Sequence, residues 1–520
     1  MIAFRAPVDD IFFSLRSVAG DLPGWDAELS REVTQHFAAF AEQVLAPLNG
    51  PGDRQGCRLE NGRVRMPGGF AAAFAALAEG GWQGLGAPEA LGGQGMDRLT
   101  AAATSEIFTG ANHALQMVTS LAGGAISTLM AHGSVAQQQA HVPRLAAGDW
   151  LSTMCLTEAG AGSDLSRIRC RARRDGDGDG WRIEGQKIFI SGGDQDLSAG
   201  ILHLVLARTG TPEDGVKGLS LFLCPSEVDG LRNAVTVTRI EEKLGLHASP
   251  TCQLDFDGAR AELVGAEGRG LAAMFTMMNH ARIDVALQGV AHAARAHDIA
   301  RSYAADRRQG RRADGGPAAL DDHADVRRML DEQRALAMGA RAMCHLALAE
   351  IERAARPALV DFLTPLCKVF ATEAGIRSAD LAIQILGGYG YLEEYGVAQI
   401  WRDVRITAIY EGANGIHRTA LATRGLRLAG GAAIAEFAAL LGDLAPGAPA
   451  LDAAVADWTV TARDLAAAED GAARAHDFTQ RTGQLLQAAV WQRLAATARA
   501  EARADADALA GIAADMLARL

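Results

Sequence analysis

The chain predicts an α+β fold, mostly α, in which helical regions flank a single β region, and three observations predict it. Before about residue 150, Ala-rich stretches place apolar side chains at helical spacing, as in Gly69-Phe70-Ala71-Ala72-Ala73-Phe74-Ala75-Ala76-Leu77-Ala78. From about Leu151 to Gly265 the texture changes to short runs bounded by Asp, Gly and Pro. After Gly270 the helical period returns in longer segments.

Residues 1–150 read as an N-terminal helical domain, interrupted by Gly-rich loops such as Leu91-Gly92-Gly93-Gln94-Gly95. Residues 151–265 read as a middle antiparallel β domain, with strands at Trp181-Arg182-Ile183-Glu184, Lys187-Ile188-Phe189-Ile190, Leu202 to Leu206 and Leu219 to Leu223. Within it, Asp175-Gly176-Asp177-Gly178-Asp179-Gly180 begins like a calcium loop. The glutamate required at the end of such a loop is Gln186, and the flanks are strand-like, so the segment reads as a polar hairpin turn. Residues 266–430 carry three long helical segments, about Ala272 to Asp306, Asp322 to Ala354 and Leu359 to Leu386, as an antiparallel bundle requires. The linker Ala445-Pro446-Gly447-Ala448-Pro449 precedes a last Ala-rich helical region to Leu520, and residues 431–520 read as a C-terminal helical extension. From Gly430 onward, twelve acidic residues against seven arginines suit a packing or oligomer element rather than a basic nucleic-acid arm.

At 520 residues and 49% hydrophobic, the chain can bury a core divided among several packed units. A run of roughly 18 apolar residues is absent, as is a basic segment leading into an apolar one, so the expectation is a cytoplasmic protein with no membrane span. The seven cysteines form no C-x-x-C pair and the thirteen histidines no H-E-x-x-H, so no metal is expected and the thiols read as buried and reduced. A net charge of -12 opposes a surface built for nucleic acid.

Chemistry concentrates in three places. Ile409-Tyr410-Glu411-Gly412-Ala413-Asn414-Gly415-Ile416 sets one carboxylate among small residues; Gly412 and Gly415 allow backbone close to a flat ligand, and Ile409 and Ile416 are expected to desolvate Glu411. The alternative is a glutamate that caps a helix or pairs with Arg405. Cys155-Leu156-Thr157-Glu158 with Gly162-Ser163-Asp164, followed by Gly185-Gln186-Lys187-Ile188-Phe189-Ile190-Ser191-Gly192, forms a paired signature whose small residues and amides can line a cofactor. Tyr303-Ala304-Ala305-Asp306-Arg307-Arg308-Gln309 and Gln384 to Gly390 offer a guanidinium fork suited to a diphosphate, the alternative for Arg307 being an exposed helix-end cation.

Together these stretches resemble the acyl-CoA dehydrogenase family, over about residues 1–430. The resemblance implies FAD as cofactor and an acyl-CoA thioester as substrate, with Glu411 as the base that removes the α-proton while its backbone amide binds the thioester carbonyl. Some related dehydrogenases carry the base immediately before the position of Arg282; that residue is Ala281 here, which cannot abstract a proton. Arg282 then matches an arginine that orders the active site, or is a helix-surface cation. Leu156, Thr157, Gly162, Ser163, Phe189 and Ser191 would hold the flavin and part of the acyl-CoA, with Phe189 where tryptophan is common and Ser191 where threonine is. Arg307, Gln309, Gln384, Gly387 and Gly388 would reach the FAD of a neighbouring subunit, which implies a homodimer or homotetramer. Asn414 joins the cofactor set, and Ser163, Arg282, Glu411 and Gly412 the substrate set. Ala413 departs from the family's threonine, a lost hydrogen bond of roughly 0.5–1.5 kcal/mol.

Gly56 to Gly62, Gly215 to Phe222, His247 to Cys252 and Gly270 to Asn279 are similar to one branch, the 3-methylmercaptopropionyl-CoA dehydrogenase-like proteins, which also have the helical extension. Met277 and Met278 read either as helix core or as a pocket for a thioether. The implied reaction is α,β-dehydrogenation of a short or medium acyl-CoA, with electrons passing to an electron-transfer flavoprotein. Alternatives are an acyl-CoA oxidase, a dehydrogenase of carrier-protein-linked acyl groups, and a flavin-containing nucleic-acid-associated protein like those of the alkylation response, against which Glu411 and the acidic extension both count.

Overall fold

Glycine and proline punctuation divides the chain as its periodicity requires, and the computed structural model describes residues 2–20, 22–176 and 180–520, leaving aside the side chain of His280. Two compact units result. One comprises residues 43–97 and 111–281, the other residues 1–42, 98–110 and 282–520.

The first unit is built on a seven-stranded sheet: β1 (Trp150–Cys155), β2 (Arg171–Arg174), β3 (Trp181–Ser191), β4 (Gly200–Arg208), β5 (Leu219–Pro225), β6 (Val235–Ile240) and β7 (Thr251–Val264). The order is β6-β7-β3-β2-β4-β1, with β5 paired to both β7 and β4. One expectation fails here: the sheet is mixed, because β1 runs parallel to β4, Trp150 opposite Gly200 and Cys155 opposite Val205. The β2–β3 hairpin lies between them in sequence, giving the long connection that a parallel pair needs.

The two strand predictions on either side of Gly185 merge into the single strand β3. Gly185 has φ +130°, and a Cβ there would lie 2.9 Å from the Cα of Cys170. The Asp175–Gly180 segment does join β2 to β3, the N–H of Asp175 donating to the carbonyl of Gly180 at 2.9 Å; residues 177–179 lie outside the described residues. Sheet residues Ile183, Leu204, Phe222, Leu254 and Phe256 form its buried core. An unanticipated ribbon pairs Arg58–Glu60 with Arg63–Arg65 around Asn61-Gly62, both in the left-handed region that such tight turns select.

The second unit is helical. Its main elements are α1 (Val8–Ala19), α2 (Gly270–Asp306, from Arg282 onward), α3 (Ala324–Arg353), α4 (Pro357–Leu386) and α5 (Asn414–Ala420). The three long helices fall where the apolar period places them. Pro357 opens α4 at the first helical position, where its missing N–H has no partner to lose. Where α2 passes α4, their backbones touch: a Cβ on Gly289 would lie 2.3 Å from the carbonyl oxygen of Ala371, and one on Gly375 would lie 2.6 Å from that of Gly289. Gly289→Ala is therefore expected to force these helices apart and cost about 1–3 kcal/mol in urea unfolding.

The extension folds as α6 (Ala432–Leu444), α7 (Pro449–Ala467), α8 (Ala475–Ala500) and α9 (Ala506–Ala518), so the Ala445 to Pro449 linker lies inside it, with α6 already formed ahead of the linker. It is fastened by aromatic packing. Phe437 of α6 lies 5.3 Å from Phe362 of α4 and 4.9 Å from Trp458 of α7, ring centroid to centroid. The indole N–H of the buried Trp458 donates to Thr482 at 2.9 Å, which satisfies its polar end. Among the described residues, no single helix is long and apolar enough to cross a membrane.

Candidate active site

In the helical unit, α4 and the α2 segment from Arg282 flank the loop that carries Glu411. That residue adopts φ +55°, a left-handed conformation uncommon outside glycine, and Gly412 follows at φ +94°. Two side chains hold the turn. The ring Nε2 of His417 lies 3.0 Å from the carbonyl oxygen of Glu411, and the ammonium of Lys368 donates to the carbonyl of Gly412 at 2.8 Å and to Oδ1 of Asn414 at 2.9 Å. Asn414 in turn donates from Nδ2 to Thr372 Oγ1 at 3.1 Å and to Glu373 Oε1 at 3.2 Å.

Glu411 keeps part of its surface open, as a base that must meet a substrate requires, yet desolvation pushes its pKa up to about 7 against the pull of Arg282 and then Lys368, with Asp284 adding to the rise. Burial brings Lys368 down to about 7, opposed by the Glu411 charge. His417 is brought down to about 4, again by burial, so its ring is neutral near pH 7 and can donate to the Glu411 carbonyl. Arg282 is lowered by burial, while Glu411 favours its charged form. Tyr410 donates its hydroxyl to Gln288 of α2, whose amide donates to Asp284 at 3.2 Å.

Several expectations change. Ile409 and Ile416 are each 50% exposed, so they do not desolvate the carboxylate. The backbone enters the left-handed region at Glu411 and Gly412. The cations that act on Glu411 most strongly are Arg282 and Lys368, not Arg405, and the cap position of α5 is Ala413, with no side-chain cap. Asn414 is buried with its side-chain amide engaged inside the loop, so what it can offer a cofactor is its backbone. Lys368 and His417 were not anticipated. A signal was present for the first: Lys368 is the one charged residue from Phe362 to Thr372.

In the sheet unit, the two signature stretches come together. The N–H of Ile188 donates to the carbonyl of Thr157 at 2.9 Å, and the wholly buried Lys187 reaches the carbonyl of Leu156 at 2.9 Å and the carboxylate of Glu158 at 2.8 Å. Glu158 also accepts from the backbone N–H groups of Arg169 and Cys170, at 2.7 and 3.0 Å. This bracing leaves Phe189 61% exposed at φ +59°, with Ser191 partly exposed two residues on. Ser163 is exposed, and space is open where a Cβ on Gly162 would point. An exposed aromatic face held in a strained backbone, with hydroxyls and open glycine in the braced stretches, fits the flat, polar-edged ring of a flavin.

The third group also assembles within its unit. The guanidinium of Arg307 lies 5.6 Å from the Tyr389 ring centroid, beside Tyr303 and Tyr395, while Gln384, Gly387 and Gly388 are exposed around it. The backbone carbonyl of Gln309 is taken by His323 at 2.8 Å, leaving its exposed side chain for other partners.

Known proteins match along the chain in this order. The acyl-CoA dehydrogenase N-terminal domain matches residues 28–149, the middle domain residues 153–259 and the C-terminal domain residues 268–426. The chain is 41% identical over 481 residues to a 3-methylmercaptopropionyl-CoA dehydrogenase of Ruegeria pomeroyi, covering 86% of this chain and 81% of that protein. The solved butyryl-CoA dehydrogenase of Megasphaera elsdenii superposes with a TM-score of 0.68 at 25% identity, over 77% of this chain and 98% of that one. Caenorhabditis elegans ACDH-11, solved in complex with C11-CoA, shares the fold through the extension as well, with a TM-score of 0.81 over 100% of this chain and 92% of that one at 21% identity.

The three domain matches in chain order, with the 41% identical relative, define an oxidoreductase of the class acting on the CH–CH group of acyl-CoA thioesters. The chain belongs to the acyl-CoA dehydrogenase family.

Proposed function

We propose that this protein is an FAD-dependent acyl-CoA dehydrogenase that forms an α,β double bond in a short or medium acyl-CoA, 3-methylmercaptopropionyl-CoA being the first substrate to try. The observation that carries the reading is Glu411: a partly open carboxyl whose pKa is pushed up to about 7, on a turn braced from two sides. A base poised near the working pH is what α-proton removal from a thioester requires. The Ruegeria relative supports the acyl group.

Glu411 takes the α-proton onto its carboxylate, and its backbone N–H donates to the thioester carbonyl, where negative charge develops. Arg282 helps to order the carboxylate. Leu156, Thr157, Gly162, Ser163, Phe189 and Ser191 would hold the flavin ring, joined by the backbone of Asn414, while Arg307, Gln309, Gln384, Gly387 and Gly388 would hold the diphosphate and adenine half for a second copy of the chain in a homodimer or homotetramer. FAD supplies the hydride acceptor for the β-carbon. Electrons then leave to an electron-transfer flavoprotein.

The test is anaerobic bleaching of the purified flavoprotein by a panel of acyl-CoAs, followed by reoxidation with air or with electron-transfer flavoprotein. Rapid bleaching with slow reoxidation by air is expected; fast peroxide formation would convert the reading to an oxidase, and flavin that never bleaches would remove it. Because the base must be ionised to accept a proton, kcat/KM rises with pH through about 7, and well below that falls about tenfold per pH unit.

A further inference from the structure

We propose that Lys368 is a positioning residue for the reaction: from beneath the catalytic loop it fixes the Glu411–Gly412 turn by hydrogen bonds, and its charge favours the ionised form of Glu411. This rests on the reading of Glu411 as the base. The ammonium is wholly buried, and its hydrogen bonds go to neutral oxygens of the catalytic loop and its flanking helix, the Gly412 carbonyl and Asn414 Oδ1, at 2.8 and 2.9 Å. Burial of an ammonium with no hydrogen-bonded carboxylate disfavours its charge, and a nearby carboxylate opposes that loss. Glu411 is the carboxylate that acts on it most strongly.

The geometry explains why a lysine is needed. Glu411 and Gly412 are both left-handed, and a non-glycine residue in that region persists only where its surroundings over-determine it. His417 holds the Glu411 carbonyl and Lys368 holds the next one, so two successive peptide units of the turn are pinned from different elements. Pinning the second peptide fixes where Gly412 and Asn414 sit, and through the chain where the carboxylate of Glu411 meets a substrate.

Other charges act in the same place: Arg282 and Asp284 from α2, Asp361 and Glu373 from α4, Asp403 before the loop, and His417, Arg418 and Arg424 after it. Of these, Arg282 and Lys368 are the cations that lower the proton affinity of Glu411 most. Lys368 also bonds the loop backbone, so it couples the conformation of the turn to the charge of the base.

The test measures the limiting rate of anaerobic flavin reduction, KM and their pH dependence in FAD-loaded Lys368→Met, Lys368→Gln and Glu411→Gln, beside the unaltered enzyme. Lys368→Met should lower the limiting rate on the order of 100-fold, as a misplaced reacting group does, with KM changed far less. Its acid limb should move to higher pH, because removing a cation favours the protonated form of Glu411. Lys368→Gln, which keeps a donor without the charge, should recover part of the rate but leave the limb shifted. Both limbs unmoved while Glu411→Gln is inactive would overturn the role of Lys368 and leave the base intact. A Glu411→Gln enzyme as active as the parent would instead remove the base reading itself. Lysine variants that lose rate and melting temperature together, with the acid limb in place, would reduce Lys368 to a structural residue and overturn the proposal.

Discussion

Glu411→Gln is expected to retain bound flavin and to slow its anaerobic reduction by acyl-CoA by about 10²- to 10⁴-fold, the range a positioned general base contributes. The substitution is nearly isosteric, leaves the backbone N–H in place and imposes the same left-handed backbone as the parent residue, so the loss is confined to proton transfer. Its stability effect has the opposite sign. The folded pKa of Glu411 lies at about 7, above its ordinary 4.5, because burial penalises the ionised form. The protonated carboxyl therefore suits the fold: that contribution is present below about pH 4.5 and is lost as pH rises through 7. Glutamine stays neutral throughout. The variant should melt above the parent at pH 8, and the two should converge near pH 4, as scanning calorimetry on the flavin-loaded proteins can record. An inactive variant that melts lower at pH 8 would mean that the carboxylate supports the loop rather than the chemistry.

The candidate site residues stood out as a motif, but their environment did not. Glycine spacing around a lone glutamate is a local signal, and so is the Ile188 to Ser191 run. The residues that tune Glu411 come from elsewhere in the chain: Arg282 lies on α2, and Lys368 reaches the loop from α4, its bond to Gly412 spanning 44 residues. No period or motif reports which helix passes beneath which loop. Ile409 and Ile416 show the converse error: read as apolar cover for the carboxylate, each is 50% exposed.

A similar division runs through the fold. The long Ala-rich helices were legible because their apolar spacing persists for many turns. Helix α1 was covered only by the broad reading of residues 1–150 as helical, since Ile11, Phe12, Phe13 and Leu15 form a dense apolar cluster rather than a repeating helical stripe. The parallel pairing of β1 with β4 was also hidden. Alternation reports which side chains of a strand are buried, and says nothing about the direction of its partner.

Glu106→Gln is expected to be among the most destabilising single changes in the helical unit, at about 3–5 kcal/mol, because it leaves a buried cation unpaired. Arg341 of α3 meets Glu106 through two nitrogens, Nε at 3.0 and 3.1 Å from the two carboxylate oxygens and Nη2 at 2.7 Å from one of them, with both side chains 1% exposed. Although burial alone lowers the proton affinity of Arg341, Glu106 reverses the balance and holds it charged, with Asp10 adding at longer range. One turn along α3, His345 is pressed down to about 3 by burial and by Arg341, so it is neutral near pH 7 and supplies no compensating charge. The pair joins segments 235 residues apart, which is why no sequence pattern announced it. Since a desolvated pair repays its own burial poorly, the double variant Glu106→Leu/Arg341→Met should recover most of the loss and fall near the parent. Urea unfolding of Glu106→Leu, Arg341→Met and the double variant closes a cycle. A double variant as unstable as the sum of the singles would mean that the two residues act through separate contacts, and that the ion pair itself does not hold α3 to the helix bearing Glu106.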